Sequence, residues 1–302
     1  MFFNSLLTAI GNTPLVKVHK KNPADIYAKL EYLNPGGSLK DRPALYMIEK
    51  AEIDGDLKPG GTIIDASSGN YGISLAMVGA LKGYSVIICV PDRTSKEKQD
   101  AIKAYGATIH ICEDTADHDS PNGYHATAER LCKEVTNAFM PNQYLNPTNS
   151  EAHYFMTGPE IWKQTEGKIT HFIAGAGTCG TICGVGRYLK EQNPQVKIIG
   201  IDSPNSFRST GGHPKPYKIE GIGVDLDTKI LDYSVIDLML EVSDDEAFDM
   251  TRKLAHKGFL AGVSSGAVAA GAEKIEHEFT KDDLVVMIFG DSGRSYLTKN
   301  IF

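Results

Sequence analysis

Apolar, β-branched runs alternate with helical stretches along most of this chain, and several runs hand over to their helices through short turns rich in Gly, Ser or Thr. No other feature constrains the fold as strongly. Strands are read at 26–32, 62–65, 85–90, 108–112, 171–174, 196–202 and 284–289. Helices are read at 43–52, 72–81, 96–105, 125–135, 180–191, 244–256 and 267–277. Strand–helix alternation of this kind predicts an α/β fold with largely parallel sheets. The run Ser85-Val86-Ile87-Ile88-Cys89-Val90 has no polar face, which suits a strand covered by helices on both sides. A chain of 302 residues can form two such lobes.

Charge and composition remove several classes of function. A net charge of −7 is repelled by phosphate-rich polymers and by anionic membrane surfaces, so no nucleic-acid or membrane partner is expected. No apolar run approaches the ~20 residues that a membrane-crossing helix needs. Residues 1–10 lack a basic segment followed by an apolar one, so no secretory signal is read. The five cysteines, Cys89, Cys112, Cys132, Cys179 and Cys183, are scattered and odd in number. They form no disulfide framework, and a reducing cytoplasm is the expected setting. Cys179 and Cys183 lie four apart, but no Cys or His pair elsewhere completes a metal site, so none is expected.

The turns carry the chemistry. Asn34-Pro35-Gly36-Gly37-Ser38-Leu39-Lys40-Asp41-Arg42 sets one lysine between a Gly-rich turn and a helix start. Ser67-Ser68-Gly69-Asn70-Tyr71-Gly72 follows a strand and offers hydroxyls and backbone N–H groups to a small anion such as a carboxylate; an ordinary Ser or Asn helix cap fits it equally. Gly175-Ala176-Gly177-Thr178-Cys179-Gly180-Thr181 lets a backbone without Cβ atoms approach a phosphate at a helix amino end. Gly175, Gly177 and Gly180 also match the dinucleotide pattern, but the acid ~20 residues on that would hold a ribose is absent, since Glu191 falls within a helix. Ala261-Gly262-Val263-Ser264-Ser265-Gly266-Ala267 and Glu220-Gly221-Ile222-Gly223 are further turns of this type, and 203–216 reads as a polar surface loop beside a site. A lysine, a carboxylate nest and a phosphate nest together point to pyridoxal phosphate, which bonds a lysine and needs its phosphate anchored.

In order, Gly11-Asn12-Thr13-Pro14-Leu15, 34–42, 67–72, Gln143, Thr157-Gly158-Pro159-Glu160-Ile161, 177–181, 220–223 and 264–266 resemble the cysteine synthase and cystathionine β-synthase family over essentially the whole chain. These are fold-type II pyridoxal-phosphate enzymes of the tryptophan synthase β-like architecture. The resemblance implies a large cofactor domain formed by 1–38 with 140–302, and a smaller mobile domain, 39–139, that carries Lys40 and closes over the substrate. It implies that Lys40 forms the Schiff base and then removes the Cα proton, and that Asn70 bonds the ring hydroxyl. Gly177, Thr178, Cys179, Gly180 and Thr181 would cradle the phosphate, and Ser264 would face the ring nitrogen. Ser67, Ser68, Gly69, Tyr71 and Gln143 would hold the substrate carboxylate, and Gly221 would line the substrate side. A homodimer is expected on the same ground.

Asp119-Ser120-Pro121, Ala152-His153-Tyr154, Gly223 with Asp225, and Asp291-Ser292 with Tyr296 lean towards cystathionine β-synthase, whereas 157–162 leans towards cysteine synthase. The length leaves no room for the haem-binding extension or regulatory pair of animal cystathionine β-synthases, so neither is expected. Tyr71 stands where a threonine is usual, Cys179 where glycine is usual, and Val224 where an aromatic is usual. Asp225, Asp227 and Asp232 make the following loop acidic. Two readings of that loop stand. It is either a solvated acidic loop, or one carboxylate, Asp232 or Asp225, activates water or a thiol at Cβ. The expected reaction is β-replacement or β-elimination at C3 of a cysteine- or serine-type amino acid through an aminoacrylate. L-cysteine giving hydrogen sulfide with serine or a thioether is preferred. The alternatives are O-acetylserine with sulfide, and serine with homocysteine. A silent binding protein on the same fold would have lost the lysine or the phosphate nest, and neither is lost.

Overall fold

The computed structural model describes every residue except 1, 19–22, 68 and 114–119. In chain order the strands are β1 (Leu15–Lys17), β2 (Asp25–Leu30), β3 (Thr62–Ala66), β4 (Ser85–Pro91), β5 (Thr108–Cys112), β6 (Ala138–Phe139), β7 (His171–Gly175), β8 (Lys197–Asp202), β9 (Leu238–Glu241) and β10 (Leu284–Phe289). The helices are α1 (Asp41–Asp54), α2 (Asn70–Lys82), α3 (Lys96–Ala104), α4 (Tyr124–Glu134), α5 (Thr148–Ala152), α6 (Gly158–Gln164), α7 (Gly180–Gln192), α8 (Asp244–His256) and α9 (Val263–Lys274). The chain divides into two compact units, 1–10 with 34–148 and 11–33 with 149–302.

The first unit holds a four-stranded sheet in the order β5-β4-β3-β6, parallel throughout. Thr62 lies opposite Ser85 and Ala66 opposite Cys89, so β3 and β4 start level and, being parallel, send their following turns out on one edge. Ile64, Ala66, Cys89 and Cys112 pack with Ala128 of α4 in an apolar core. The near-continuous apolar character of β4 is explained by helices on both sides of it.

The second unit holds a six-stranded sheet in the order β1-β2-β10-β7-β8-β9. Every pairing is parallel except β1 with β2. The last strand in sequence, β10, lies between β2 and β7, with Leu284 opposite Asp25 and Val285 opposite His171. Ile173, Ile199, Ile201 and Phe289 pack against Met250 and Leu254 of α8 and Val268 of α9. A capping box fixes the start of α8: Ser243 Oγ accepts from the Glu246 N–H, and the Glu246 carboxylate accepts from the Ser243 N–H.

Two of the motifs noted above serve the architecture of this unit. Lys29 is fully buried and bridges Glu160, Gln164 Oε1 (2.8 Å) and the Thr13 carbonyl. Glu160 also accepts from the Asn12 N–H at 2.9 Å, and Gln164 Nε2 donates to Thr13 O at 2.9 Å. The segments 11–15 and 157–162 are thereby tied together around a buried ion pair.

Each expected strand is present, with ends displaced by a residue or two at most. Absent from the expectation are β1, β6, β9 and the helical region 148–164. The three strands are short edge pieces with too few residues to display a period. The last helix starts at Val263 rather than 267, because the Gly262 carbonyl accepts from Ser265 and Gly266 and nucleates the turn there. Ser264 therefore lies in the first turn of α9. Among the described residues no helix is long and apolar enough to cross a membrane.

Candidate active site

The residues expected at the site fall in both units. In the second unit, β7 leads through 176–179 into α7. Cys179 caps that helix with a left-handed backbone, φ +68, which a residue bearing a side chain adopts at a cost. The carbonyl oxygens of the turn are taken up from behind: Gly223 N–H donates to Ala176 O (3.1 Å), and Arg208 donates to Ala176 O and to Gly177 O (3.2 Å). With its carbonyls so engaged, the turn and the helix amino end present N–H groups on the other side. Thr178 Oγ1 accepts from Asn149 Nδ2 at 3.1 Å and from the Gly180 N–H at 3.4 Å, which leaves its own proton to donate.

The backbone packs here without room for side chains. A Cβ on Gly177 would lie 2.7 Å from the Gly221 carbonyl, and one on Gly180 would overlap the Asn149 side chain. Gly221 has φ +85, a conformation that glycine adopts freely. A Cβ there, or on Gly290, would stand 3.6 Å from Ser264, so both glycines leave the space beside the Ser264 hydroxyl clear. Behind Ser264, Tyr296 donates to Asp291 at 2.7 Å, and Asp291 O accepts from the Gly262 N–H, which holds the start of α9. A helix-end cradle lined by glycine, with a glycine-walled slot against a neutral hydroxyl, fits the phosphate and flat ring of pyridoxal phosphate.

In the first unit, Lys40 immediately precedes α1 and is half-buried; its N–H donates to Ser38 Oγ at 3.2 Å. Asp41 is fully buried and organises the turn. Its carboxylate accepts from the Gly36 N–H (2.6 Å) and from Ser74 Oγ (2.6 Å) on α2. Ser74 Oγ also lies 3.0 Å from the Asn70 carbonyl, so one contact chain fixes the lysine turn against the first turn of α2. Ser67 Oγ accepts from the Gly69 and Gly72 N–H groups at 3.4 and 2.9 Å. The ammonium of buried Lys98 lies against this turn, 3.1 Å from where a Cβ of Gly69 would be.

Tyr71 turns its side chain into the core, and its hydroxyl donates to Met47 Sδ at 3.3 Å. Ser68, expected at the substrate carboxylate, lies outside the described residues. Gln143 is buried, and the preceding Asn142 has a left-handed backbone held by its N–H donating to Asp65 Oδ2 at 2.9 Å. Burial lifts the Asp65 carboxyl to about 7, against backbone hydrogen bonds from Ala66 and Asn142 that favour the ionised form.

The acidic loop divides into distinct roles. Asp232 is a helix cap: its Oδ1 accepts from Ser234 N (3.0 Å) and Ser234 Oγ (2.6 Å). Those bonds hold its carboxyl below the usual carboxylate range, which weakens it as a base. Asp225 is exposed and hydrogen-bonded to Tyr217. Burial and that carboxylate push the Tyr217 phenol well above its ordinary range, so it stays protonated and donates. The Tyr217 ring covers Gly223, on the turn that also carries Gly221. Burial pushes the Cys179 thiol up to about 12, and so removes it as a nucleophile at neutral pH.

Sequence reasoning missed Arg208, Asp41, Ser74, Lys98 and Tyr217. Arg208 pairs in two places with buried Asp202, at 3.0 and 3.3 Å, from within the 203–216 loop. Nothing in the spacing of these residues signals their partners.

Residues 6–291 match the family model described as "Pyridoxal-phosphate dependent enzyme". The chain belongs to this family. Cystathionine beta-synthase of Apis mellifera is 45% identical over 97% of this chain, which spans 60% of that relative's length. Cysteine synthase of Staphylococcus aureus is 41% identical over 99% of this chain and 97% of the relative. Among solved structures, O-ureido-L-serine synthase superposes with a TM-score of 0.94 at 35% identity, covering 100% of this chain and 96% of the other. A hydrogen sulfide-producing enzyme from Fusobacterium nucleatum gives 0.92 at 38%, covering 98% and 100%. The protein is thus a pyridoxal-phosphate-dependent enzyme of the cysteine synthase and cystathionine β-synthase type, with the fold-type II architecture expected.

Proposed function

We propose that this enzyme replaces or eliminates the substituent at C3 of a cysteine- or serine-type L-amino acid, and that L-cysteine is the preferred donor, releasing hydrogen sulfide. Water as second reactant gives serine, and a thiol gives a thioether. The observation that carries the choice is the Tyr217–Asp225 pair, whose tyrosine ring covers Gly223 on the turn that also carries Gly221. An exposed carboxylate on this loop can take the proton of water or a thiol as the new bond forms, whereas sulfide, already an anion, needs no base.

Pyridoxal phosphate, when bound, supplies the electron sink that labilises the bonds at Cα and Cβ. The chain's own residues do the rest. The α7 cradle would hold the phosphate, and Ser264 would offer the ring nitrogen a neutral hydroxyl rather than an aspartate's negative charge, which would favour prompt loss of the Cβ substituent. The N–H groups of the 67–72 turn, with Gln143 and the Lys98 ammonium, hold the substrate carboxylate. Lys40 takes the Cα proton as general base and passes a proton to the departing sulfide. Asp225 accepts the proton from water or thiol as the Cβ–O or Cβ–S bond forms, and Lys40, reprotonated from solvent, returns a proton to Cα. Asp232 is left to its capping role. The same proposal includes a homodimer, on the family likeness alone.

The purified protein is offered cysteine, serine and O-acetylserine, each with sulfide, homocysteine or water, and the products are identified by mass. Hydrogen sulfide with serine from cysteine supports the reading, and Asp225→Asn should lower that rate by about 10²–10⁴-fold. An unchanged rate in Asp225→Asn sinks the role of the pair. The second reading, cysteine synthesis from O-acetylserine and sulfide, is favoured by the near end-to-end match to the staphylococcal cysteine synthase.

A further inference from the structure

Behind the phosphate cradle lies a buried imidazole that the mechanism above leaves unused. His153 opens a π-helical turn, His153–Thr157, between α5 and α6. Turns of this kind re-aim side chains and recur at functional sites. This one packs closely on α7: a Cβ on Gly184 would overlap the Ser150 carbonyl and lie 2.9 Å from His153 Cβ. His153 is 1% exposed. Its Nδ1 lies 2.9 Å from Thr157 Oγ1, and its Nε2 lies 3.2 Å from Thr181 Oγ1 in the first turn of α7.

The proton inventory decides what this chain of contacts can do. A hydroxyl has one proton to give and lone pairs to accept with, and a neutral imidazole has one N–H and one bare nitrogen. If Nε2 were bare, Thr181 would spend its proton on the ring and turn lone pairs towards an incoming phosphate, oxygen against oxygen. If Nε2 carries the hydrogen, it donates into Thr181 Oγ1, and the hydroxyl proton is released towards the phosphate. Thr157 then gives its own proton to bare Nδ1, so the two threonine contacts of the ring are matched donor to acceptor.

We propose that His153 is a positioning residue for the cofactor phosphate, holding the Nε2–H tautomer between Thr157 and Thr181 so that Thr181 acts as a donor. This rests on the reading of 177–181 as the phosphate cradle. Two measurements test it. Imidazole nitrogen NMR on the full chain stripped of cofactor, with the His153 resonance assigned by its loss in His153→Asn, should report the Nε2–H tautomer. The dissociation constant for pyridoxal phosphate, from titration of the stripped protein, should rise about tenfold in His153→Asn, the worth of one hydrogen bond to a charged group. It should stay within about threefold of the unsubstituted protein in His153→Gln, whose amide nitrogen reaches the Nε2 position. A purely structural role would move both variants alike. An Nδ1–H tautomer, or equal losses in the two variants, overturns the proposal. Failure of the unsubstituted chain to bind pyridoxal phosphate would overturn the cradle reading beneath it.

Discussion

Two helix starts in this protein have the same local grammar and different support. Both the α2 turn, 67–72, and the α7 turn, 176–181, follow a parallel strand, are rich in Gly, Ser and Thr, and are proposed here as anion sites. The α7 turn is held by side chains from distant segments: Arg208 on its carbonyls, Asn149 on Thr178, and His153 on Thr181. The α2 turn is capped from within by Ser67, and its outside support acts at the edges, through Lys98 at Gly69 and Asp41 at Ser74. The difference fits the two tasks proposed for them, cofactor phosphate at α7 and substrate carboxylate at α2. A resident phosphate gains affinity from donors fixed before it arrives, since their ordering is not charged against binding. A substrate carboxylate must enter and leave at every turnover.

The contrast breaks most severely at Arg208. Arg208→Ala would strand buried Asp202 as an unpaired charge, and a loss of about 3–5 kcal/mol in unfolding free energy is expected. Pyridoxal phosphate affinity should fall with it, and the pair Arg208→Met with Asp202→Asn should recover most of the stability in denaturant melts. Asp65 probes the other unit. Its carboxyl is raised to about 7, so its contribution to stability is present below about pH 4 and is lost as pH rises through about 7. Each unit of pH across that window should cost about 1.4 kcal/mol from this group, and Asp65→Asn should flatten that part of the profile.

Smaller changes sharpen the comparison. Gly180→Ala forces a Cβ into the Asn149 side chain, an overpacking worth about 1–3 kcal/mol, and should weaken cofactor binding in titrations. Ser67→Ala removes only an internal cap, about 1 kcal/mol, and should raise KM for the amino acid while leaving pyridoxal phosphate affinity unchanged. A loss of cofactor affinity in Ser67→Ala equal to that in Gly180→Ala would erase the distinction.

The legibility of the sequence follows the range of the interactions. The long strands and amphipathic helices declare themselves because their pattern is local, and so do turns such as 67–72 and 175–181, which need glycine and hydroxyls side by side. The edge strands β1 and β9 do not, since a few residues show no period. Arg208 and its partners Ala176 and Gly177 are about thirty residues apart in sequence, and Asp41 and Ser74 are similarly distant, so only the folded chain joins them. Asp232 was legible in part. Its acidity marked it as a candidate base, but the Ser two positions on, Ser234, is the signature of a carboxylate that caps its own turn.

The central claim is that the chain expels sulfide from L-cysteine and lets water, activated at Asp225, take its place. Incubation of the purified enzyme with L-cysteine in heavy-oxygen water tests it most directly, with the serine read by mass spectrometry. The account predicts hydrogen sulfide together with serine that carries the heavy oxygen in its side chain, and loss of that product in Lys40→Ala. Absence of labelled serine, with cysteine formed readily from O-acetylserine and sulfide, would contradict it.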